Sequence, residues 1–343
     1  MRLLVTGGAG FIGSNFIRHH LGRHPGDAVV NLDKLTYAGN LENLAEVDQL
    51  AAYRFVKGDI CDRELVEELF RAERPEQVVH FAAESHVDRS ILAPSPAFET
   101  NLRGAFTLLE AGRQHQVSRF VHISTDEVYG SLAEPLAADE NFPLRPSSPY
   151  AAAKAGSDLL ALSFFTTYKL PVIVTRASNN YGPYQFPEKF IPLMVTHALE
   201  DRTLPIYGDG RQVRDWLYVA DHCAAIEAVL EGGRPGEIYN IGGNCSLENL
   251  RVAGEILRLT GQPESLLQTV ADRPGHDRRY AVDSGKIRQE LGWSPQVGFA
   301  EGLERTIAWY RAHSSWVSRV KGGDYQRFYQ QHYENREQTL SRL

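Results

Sequence analysis

A doubly wound α/β fold, with a parallel sheet flanked by helices, is predicted by three features of the first half of the chain. Short apolar runs alternate with amphipathic stretches, a glycine-rich turn joins the first run to the first amphipathic stretch, and an aspartate closes the second run. The runs at 3–5, 28–32, 53–56, 77–81, 120–123 and 172–175 read as buried strands. The stretches 11–21, 63–72, 97–114 and 150–168 carry helical patterns. Alternation at this spacing implies a Rossmann-type parallel sheet with helices on both faces.

After residue 178 the rhythm breaks. Asn179-Asn180-Tyr181-Gly182-Pro183 and Gly208-Asp209-Gly210 are loop-rich, and helical patterns return at 220–230, 247–259, 284–291 and 299–313. A smaller mixed α/β C-terminal domain over the sheet's open edge is expected. The expected division gives 1–178 to the dinucleotide-binding domain, with segments near 212–242 and after 300 returning to it. Residues 179–211 and 243–299 form the substrate domain. The tail beyond His313 is rich in Tyr and Arg and suggests no chemical role.

The 343 residues are 43% hydrophobic and 23% charged, ample for a buried core. A net charge of -7 shows none of the basic surplus of a nucleic-acid binder. The apolar run at the N-terminus stops at Thr6-Gly7-Gly8, too short for a signal peptide. No stretch is long enough to span a bilayer. Cys61, Cys223 and Cys245 form no CxxC pair, so reduced thiols in a cytoplasmic protein are expected. The twelve histidines are scattered, with His19, His20 and His24 at a polar helix end, and no metal constellation is expected.

The turn Gly7-Gly8-Ala9-Gly10-Phe11-Ile12-Gly13 satisfies G-x-G-x-x-G between a strand and a helix. Such glycines let backbone amides and a helix N-terminus approach a pyrophosphate. Asp33 stands 20 residues after Gly13 at the next strand's end, where a carboxylate accepts from the adenosine ribose and repels a 2′-phosphate. NAD is therefore expected over NADP. Asp59-Ile60, after the third strand, can border the adenine, and Asp59 is equally plausible near a helix N-cap.

Tyr150 and Lys154 lie four apart at the start of a helix and share a face. An ammonium beside a phenol is expected to lower the phenol's pKa from about 10 and make it a general base. Ser124-Thr125-Asp126-Glu127 follows the fifth run at the carboxyl edge of the sheet, where such folds bind ligands. Two adjacent carboxyls in a closed pocket raise one another's pKa, so one holds a proton while the other accepts one.

On these motifs the chain resembles the extended short-chain dehydrogenase/reductase family, and within it the sugar-nucleotide 4,6-dehydratases. The resemblance covers essentially the whole chain, including 32–40, 82–90, 124–130, 176–183 and Arg273-Pro274-Gly275-His276-Asp277. It implies dehydration of dTDP-glucose to a 4-keto-6-deoxy sugar nucleotide for deoxysugar synthesis, such as rhamnose. The implied catalytic residues are Thr125, Asp126, Glu127, Tyr150 and Lys154. Tyr150, aided by Lys154 and Thr125, takes the 4-hydroxyl proton; Glu127 takes the C5 proton; Asp126 protonates the leaving 6-hydroxyl.

The resemblance also implies NAD contacts from Gly7, Gly10, Phe11, Ile12, Gly13, Asp33, Lys34, Leu35, Thr36, Asp59, Ile60, Phe81, Ala82, Ala83, Glu84, Thr100, Tyr150, Lys154 and Asn180. Substrate contacts fall to Ser85, Thr125, Asn179, Lys189, Phe190, Arg214, Asn249, Asp272, Arg273, Pro274, Gly275 and His276, with Pro205, Ile206 and Tyr207 flanking the thymine. A homodimer packed through 97–114 and 150–168 is implied as well. A 4-epimerase on the same scaffold, a dehydratase for another nucleotide and a silent NAD-binding protein are the rival readings. The Thr-Asp-Glu run opposes the epimerase.

Overall fold

The computed structural model describes residues 1–341. Seven parallel strands form the main sheet. They are β1 (Arg2–Thr6), β2 (Ala28–Asp33), β3 (Tyr53–Lys57), β4 (Gln77–His80), β5 (Arg119–Thr125), β6 (Val172–Ala177) and a seventh strand, Ile238–Ile241. Their spatial order is β3-β2-β1-β4-β5-β6, with Ile238–Ile241 outside β6. The order reverses between β1 and β4, and ligands bind such folds in the crevice beyond the strand ends at that point.

The strands read as continuous apolar runs because both sheet faces are covered. Leu3 and Val5 of β1 point into one core with Phe16, Ile226 and Val229. Leu4, between them, points into the other with Phe70, Leu108 and Phe164. The first core is closed by helix α1 (Phe11–Arg23) lying against helix Val219–Gly232.

The 97–114 pattern departs from one continuous helix. It is a short helix Pro94–Phe98, a π turn Glu99–Gly104 and a helix Ala105–Gln114. Single π turns inside helices are often functional. Here the wide turn leaves Asn101 to bond both polar groups of the Glu84 backbone, at 2.8 and 2.9 Å, and puts Thr100 on the cavity wall.

A second core lies beyond the sheet's carboxyl edge. It joins Tyr181, Ile191, Met194, Trp216, Val252 and Ile256 with Leu303, Ile307, Trp316 and Tyr325. The apolar residues after 300 pack in this second core, while Trp316 and Arg319 reach back to Asn43 and Glu42 of the dinucleotide half, at 3.0 and 2.6 Å. Their apolar stripe matches helices Phe190–Leu199 and Asn249–Thr260 rather than the sheet. The 212–242 segment is divided. Val213–Tyr218 pairs with Asn179–Tyr181 and Ser246–Glu248 in a small sheet, while Val219–Gly232 and Ile238–Ile241 rejoin the main one. The tail folds as helices Ser314–Val320, Gly323–Tyr329 and Arg336–Leu340.

Candidate active site

A cavity of about 300 Å³ opens at the carboxyl edge, above β1, β4 and β5. One end is backbone. Gly7 has φ +73°, and a Cβ there would lie 2.6 Å from the Ala82 amide nitrogen. A Cβ on Gly13 would come within 2.4 Å of the Gly7 carbonyl oxygen. The glycines thus let the turn close on itself and on the end of β4. Helix α1 begins at Gly10 with no side-chain cap, which leaves its first amides for an anion.

Asp33 is buried at the tip of β2. It accepts from the Ala9 amide at 2.9 Å and the Leu35 amide at 2.8 Å. Burial raises its pKa and those two amides oppose the rise. It therefore shapes the glycine turn as well as walling the cavity. Lys34 pairs with Asp59 at 2.6 Å beside it. Phe11, Ile12, Thr36, Ile60, Phe81, Ala82, Ala83, Glu84 and Asn180 share this wall, but Leu35 does not. Leu35 has φ 56° and faces an adjacent cleft with Tyr37, Tyr184 and Trp316.

The other end is built of side chains. Thr125 ends β5, and its hydroxyl accepts from the Glu127 amide at 3.3 Å, capping the turn Asp126–Tyr129. This cap sends two successive carboxyls into the site. Asp126 is buried, and its Oδ2 has no protein partner. Burial, then Glu127, then Asp215 hold the Asp126 carboxyl well above the usual range. Burial also raises Glu127, but Arg273, Lys189 and Arg214 pull it back. The environment thus separates two adjacent acids.

Ser148 caps the helix Pro149–Tyr168, accepting from the Ala151 amide at 3.1 Å, and so aims Tyr150 and Lys154 at the same cavity. Lys154 Nζ donates to the Ile123 carbonyl at 2.6 Å. Burial lowers its pKa to about 8, against the pull of Asp158. Tyr150 departs from the sequence reading. Its phenol is pushed up, by burial and then by Glu127, although hydrogen bonding from Thr125 opposes this. Lys154 donates one of its protons to Ile123 and is not among the groups that offset those two effects.

Ser85, Asn179 and Lys189 line the cavity, with Lys189 Nζ 2.5 Å from the Ser85 carbonyl. Phe190, Pro205, Ile206, Tyr207, Arg214, Asn249, Asp272, Arg273, Pro274, Gly275 and His276 lie outside its lining. Several of these form a layer beyond it. Arg273 reaches Asp88 at 3.4 Å, Tyr207 donates to Asp88 at 3.0 Å, and Arg214 donates to the Asp277 carbonyl at 2.9 Å. His276 meets Asp272 at 2.6 Å, and Phe190 stacks on Trp216. The tail covers this layer. Tyr333 stacks on Tyr207 and Arg336 lies over the same ring at 4.1 Å.

Sequence reasoning missed Gln185, Phe186, Glu188 and His222 on the wall. His222 holds the Asn180 side chain at 2.9 Å, and burial lowers its pKa to about 3. No local motif marks it. The hydroxyls of Ser124 and Ser178, Asn179 Oδ1 and Asp126 Oδ2 are buried on this wall without a protein partner. A backbone cradle at one end and unpaired polar atoms at the other fit a dinucleotide lying against a polar second ligand.

Fold and site together define an enzyme of the extended short-chain dehydrogenase/reductase class. The chain belongs to the GDP-mannose 4,6 dehydratase family, whose model matches residues 4–306. A dTDP-glucose 4,6-dehydratase of Streptomyces niveus is 53% identical, over 94% of this chain and 97% of that relative. A crystal structure of the Streptomyces venezuelae dTDP-glucose 4,6-dehydratase with NAD bound has 54% identity and a TM-score of 0.91, covering 94% of this chain and 100% of that one. The Thermus thermophilus UDP-glucose 4-epimerase, solved with NAD, is similar at 36% identity and TM-score 0.85, covering 91% of this chain and 100% of that one.

Proposed function

We propose that this chain binds NAD and converts dTDP-glucose to dTDP-4-keto-6-deoxyglucose with loss of water. The observation that carries this reading is the pairing of buried Asp126 with half-buried Glu127 beside Tyr150. Oxidation of an alcohol needs one base, whereas elimination of water needs an acid as well. Asp126, with its carboxyl pushed far up, is the group that holds a proton at neutral pH. Glu127, restrained by three cations, is the one that accepts.

Tyr150 takes the 4-hydroxyl proton, with Thr125 and Lys154 positioning it. NAD, when bound, supplies the hydride acceptor for C4, the donor for C6 and a positive charge beside the raised phenol. Glu127 removes the C5 proton, and Asp126 gives its proton to the departing 6-hydroxyl as water forms. Glu127 returns its proton to C5. One turnover leaves Asp126 short of a proton and Tyr150 carrying one, and exchange with solvent restores both.

Asp33 favours NAD, because a 2′-phosphate would meet a second negative charge there. The layer of Arg214, Arg273 and Lys189 supplies cations for the substrate diphosphate in a chain of net charge -7. A homodimer through 97–114 and 150–168 fits the exposure of Phe98, Phe106, Leu159 and Tyr168 on those elements. Cys61, Cys223 and Cys245 are free thiols, consistent with a cytoplasmic enzyme.

Substrate deuterated at C4 tests the reaction. The dehydratase reading predicts the label at C6 of a 4-keto product with no net NADH. Label retained at C4 of a galactose product would establish the epimerase instead. No product from any sugar nucleotide would leave a binding protein.

A further inference from the structure

On the opposite side of the sheet from Tyr150, two four-residue repeats face each other. His20 and His24 stand one turn apart at the C-terminal end of α1, and Glu227 and Glu231 stand one turn apart on helix Val219–Gly232. Residues at this spacing share a helix face. The contact between the helices brings His20, His24 and Glu227 together, with Glu231 beside His24. His20 Nδ1 lies 3.0 Å from Glu227 Oε2, His24 Nε2 lies 2.9 Å from Glu227 Oε1, and His24 Nε2 lies 3.3 Å from Glu231 Oε1. The donor atoms of His20, His24 and Glu227 all fall within 4.8 Å of one another.

The His20 Nδ1–Glu227 contact is a hydrogen bond, but the His24 contact is not. His24 Nε2 has no aligned hydrogen-bond partner despite its 2.9 Å approach to Glu227. Four ligands around zinc, with bonds of about 2.0–2.1 Å, sit roughly 3.3 Å apart. The two His–Glu227 separations need to open by only a few tenths of an ångström, and the three donor atoms already lie within 4.8 Å of one another. The surroundings also suit a metal. His20 and Glu227 are buried, while His24 is 31% exposed and offers a way in. The second nitrogen of His20 lies 3.3 Å from Asp27, and Asp27 is held by the N-terminal amine at 2.8 Å. A carboxylate behind a histidine is the outer shell that orients imidazole ligands.

We propose that His20, His24 and Glu227 form a divalent transition-metal site, fitted to Zn²⁺, that braces α1 against helix Val219–Gly232, with a solvent molecule completing the coordination. Two imidazoles and one carboxylate suit zinc or cobalt, with the fourth position open to solvent on the His24 side. The site lies at the far end of α1 from the glycine turn, roughly 18–20 Å away at 1.5 Å per residue. Its role is to stabilise the dinucleotide half of the fold and not to take part in the reaction. No metal constellation is evident in the sequence because the two repeats are separated by about 200 residues.

The test uses the full chain, stripped with a chelator and titrated with CoCl₂. The proposal predicts one Co²⁺ per chain with the visible absorption of four-coordinate cobalt, displaced by ZnCl₂, and a rise in Tm with Zn²⁺. His24→Gln, at the partly exposed rim, should weaken binding by at least about 100-fold. That exceeds the ~10–100-fold cost of losing an outer-shell partner. It should also abolish the Zn²⁺-dependent rise in Tm and leave dehydratase turnover unchanged, which shows that the variant folds. Absence of the cobalt spectrum, or a spectrum and affinity unchanged in His24→Gln, would overturn the proposal.

Discussion

The dinucleotide end of the cavity is walled by backbone, with Gly7 and Gly13 allowing the turn to close and Asp33 holding the Ala9 amide of that turn and the Leu35 amide after β2. The sugar end is walled by side chains from β5, helix Pro149–Tyr168 and the loop at Lys189, backed by Arg214, Arg273 and Tyr207 from the second core's side. Backbone cradles recognise a phosphate by shape and donate without charge. Side-chain walls can set proton affinities, since each cation or carboxyl moves its neighbours. On the proposed function, the first end selects the cofactor and the second carries oxidation on to elimination.

Substitutions at the two ends should fail differently. Gly13→Val should have the largest effect, because its Cβ would be forced onto the Gly7 carbonyl oxygen. NAD binding by calorimetry should be lost, while affinity for dTDP should stay within about threefold. Equal loss of both ligands would mean that the ends are not separable.

Between the ends, Lys154 carries a buried charge whose pKa is lowered to about 8. Because the unfolded chain keeps that proton up to about 10.5, burial penalises the folded state fully below pH 8. The penalty disappears as pH rises from 8 to 10.5, where the unfolded chain binds the extra proton. Lys154→Met should abolish turnover. Its stability relative to the parent, from denaturant unfolding, should be roughly 3 kcal/mol more favourable at pH 7 than at pH 10.5. A pH-independent difference would contradict the buried charge.

At the sugar end, Lys189→Met should raise KM for the sugar nucleotide by about 10–100-fold, the loss of one charge-assisted contact. NAD affinity should be unchanged. Lys189 also lowers the Glu127 carboxyl, so its removal should move the acid limb of the rate profile to higher pH. A limb that does not move would separate Glu127 from the base.

The same contrast explains what can be read from the chain alone. The glycine turn and the Tyr150–Lys154 spacing are local patterns, and the structure places each where its spacing indicates. Asp126 and Glu127 are adjacent, so their coupling is visible before folding, but the three cations that separate them come from residues 189, 214 and 273. Burial that depends on such distant segments has no local mark. Tyr150 shows this most clearly, since its neighbour at i+4 suggests a lowered pKa while burial and Glu127 raise it. The π turn at Glu99–Gly104 keeps a helical residue pattern and differs only in its backbone. The packing of residues after 300 into the second core depends on helices far away in sequence.

Single-turnover analysis of Asp126→Asn tests the division of labour most directly. The amide keeps the shape and cannot donate the acid's proton. Hydride transfer from C4 should persist while elimination falls by ~10²–10⁴-fold, the usual contribution of a general acid. Reduced nicotinamide should then accumulate on the enzyme, visible by its near-ultraviolet absorbance. If oxidation at C4 and elimination instead slowed together and no reduced cofactor appeared, Asp126 would not be the acid.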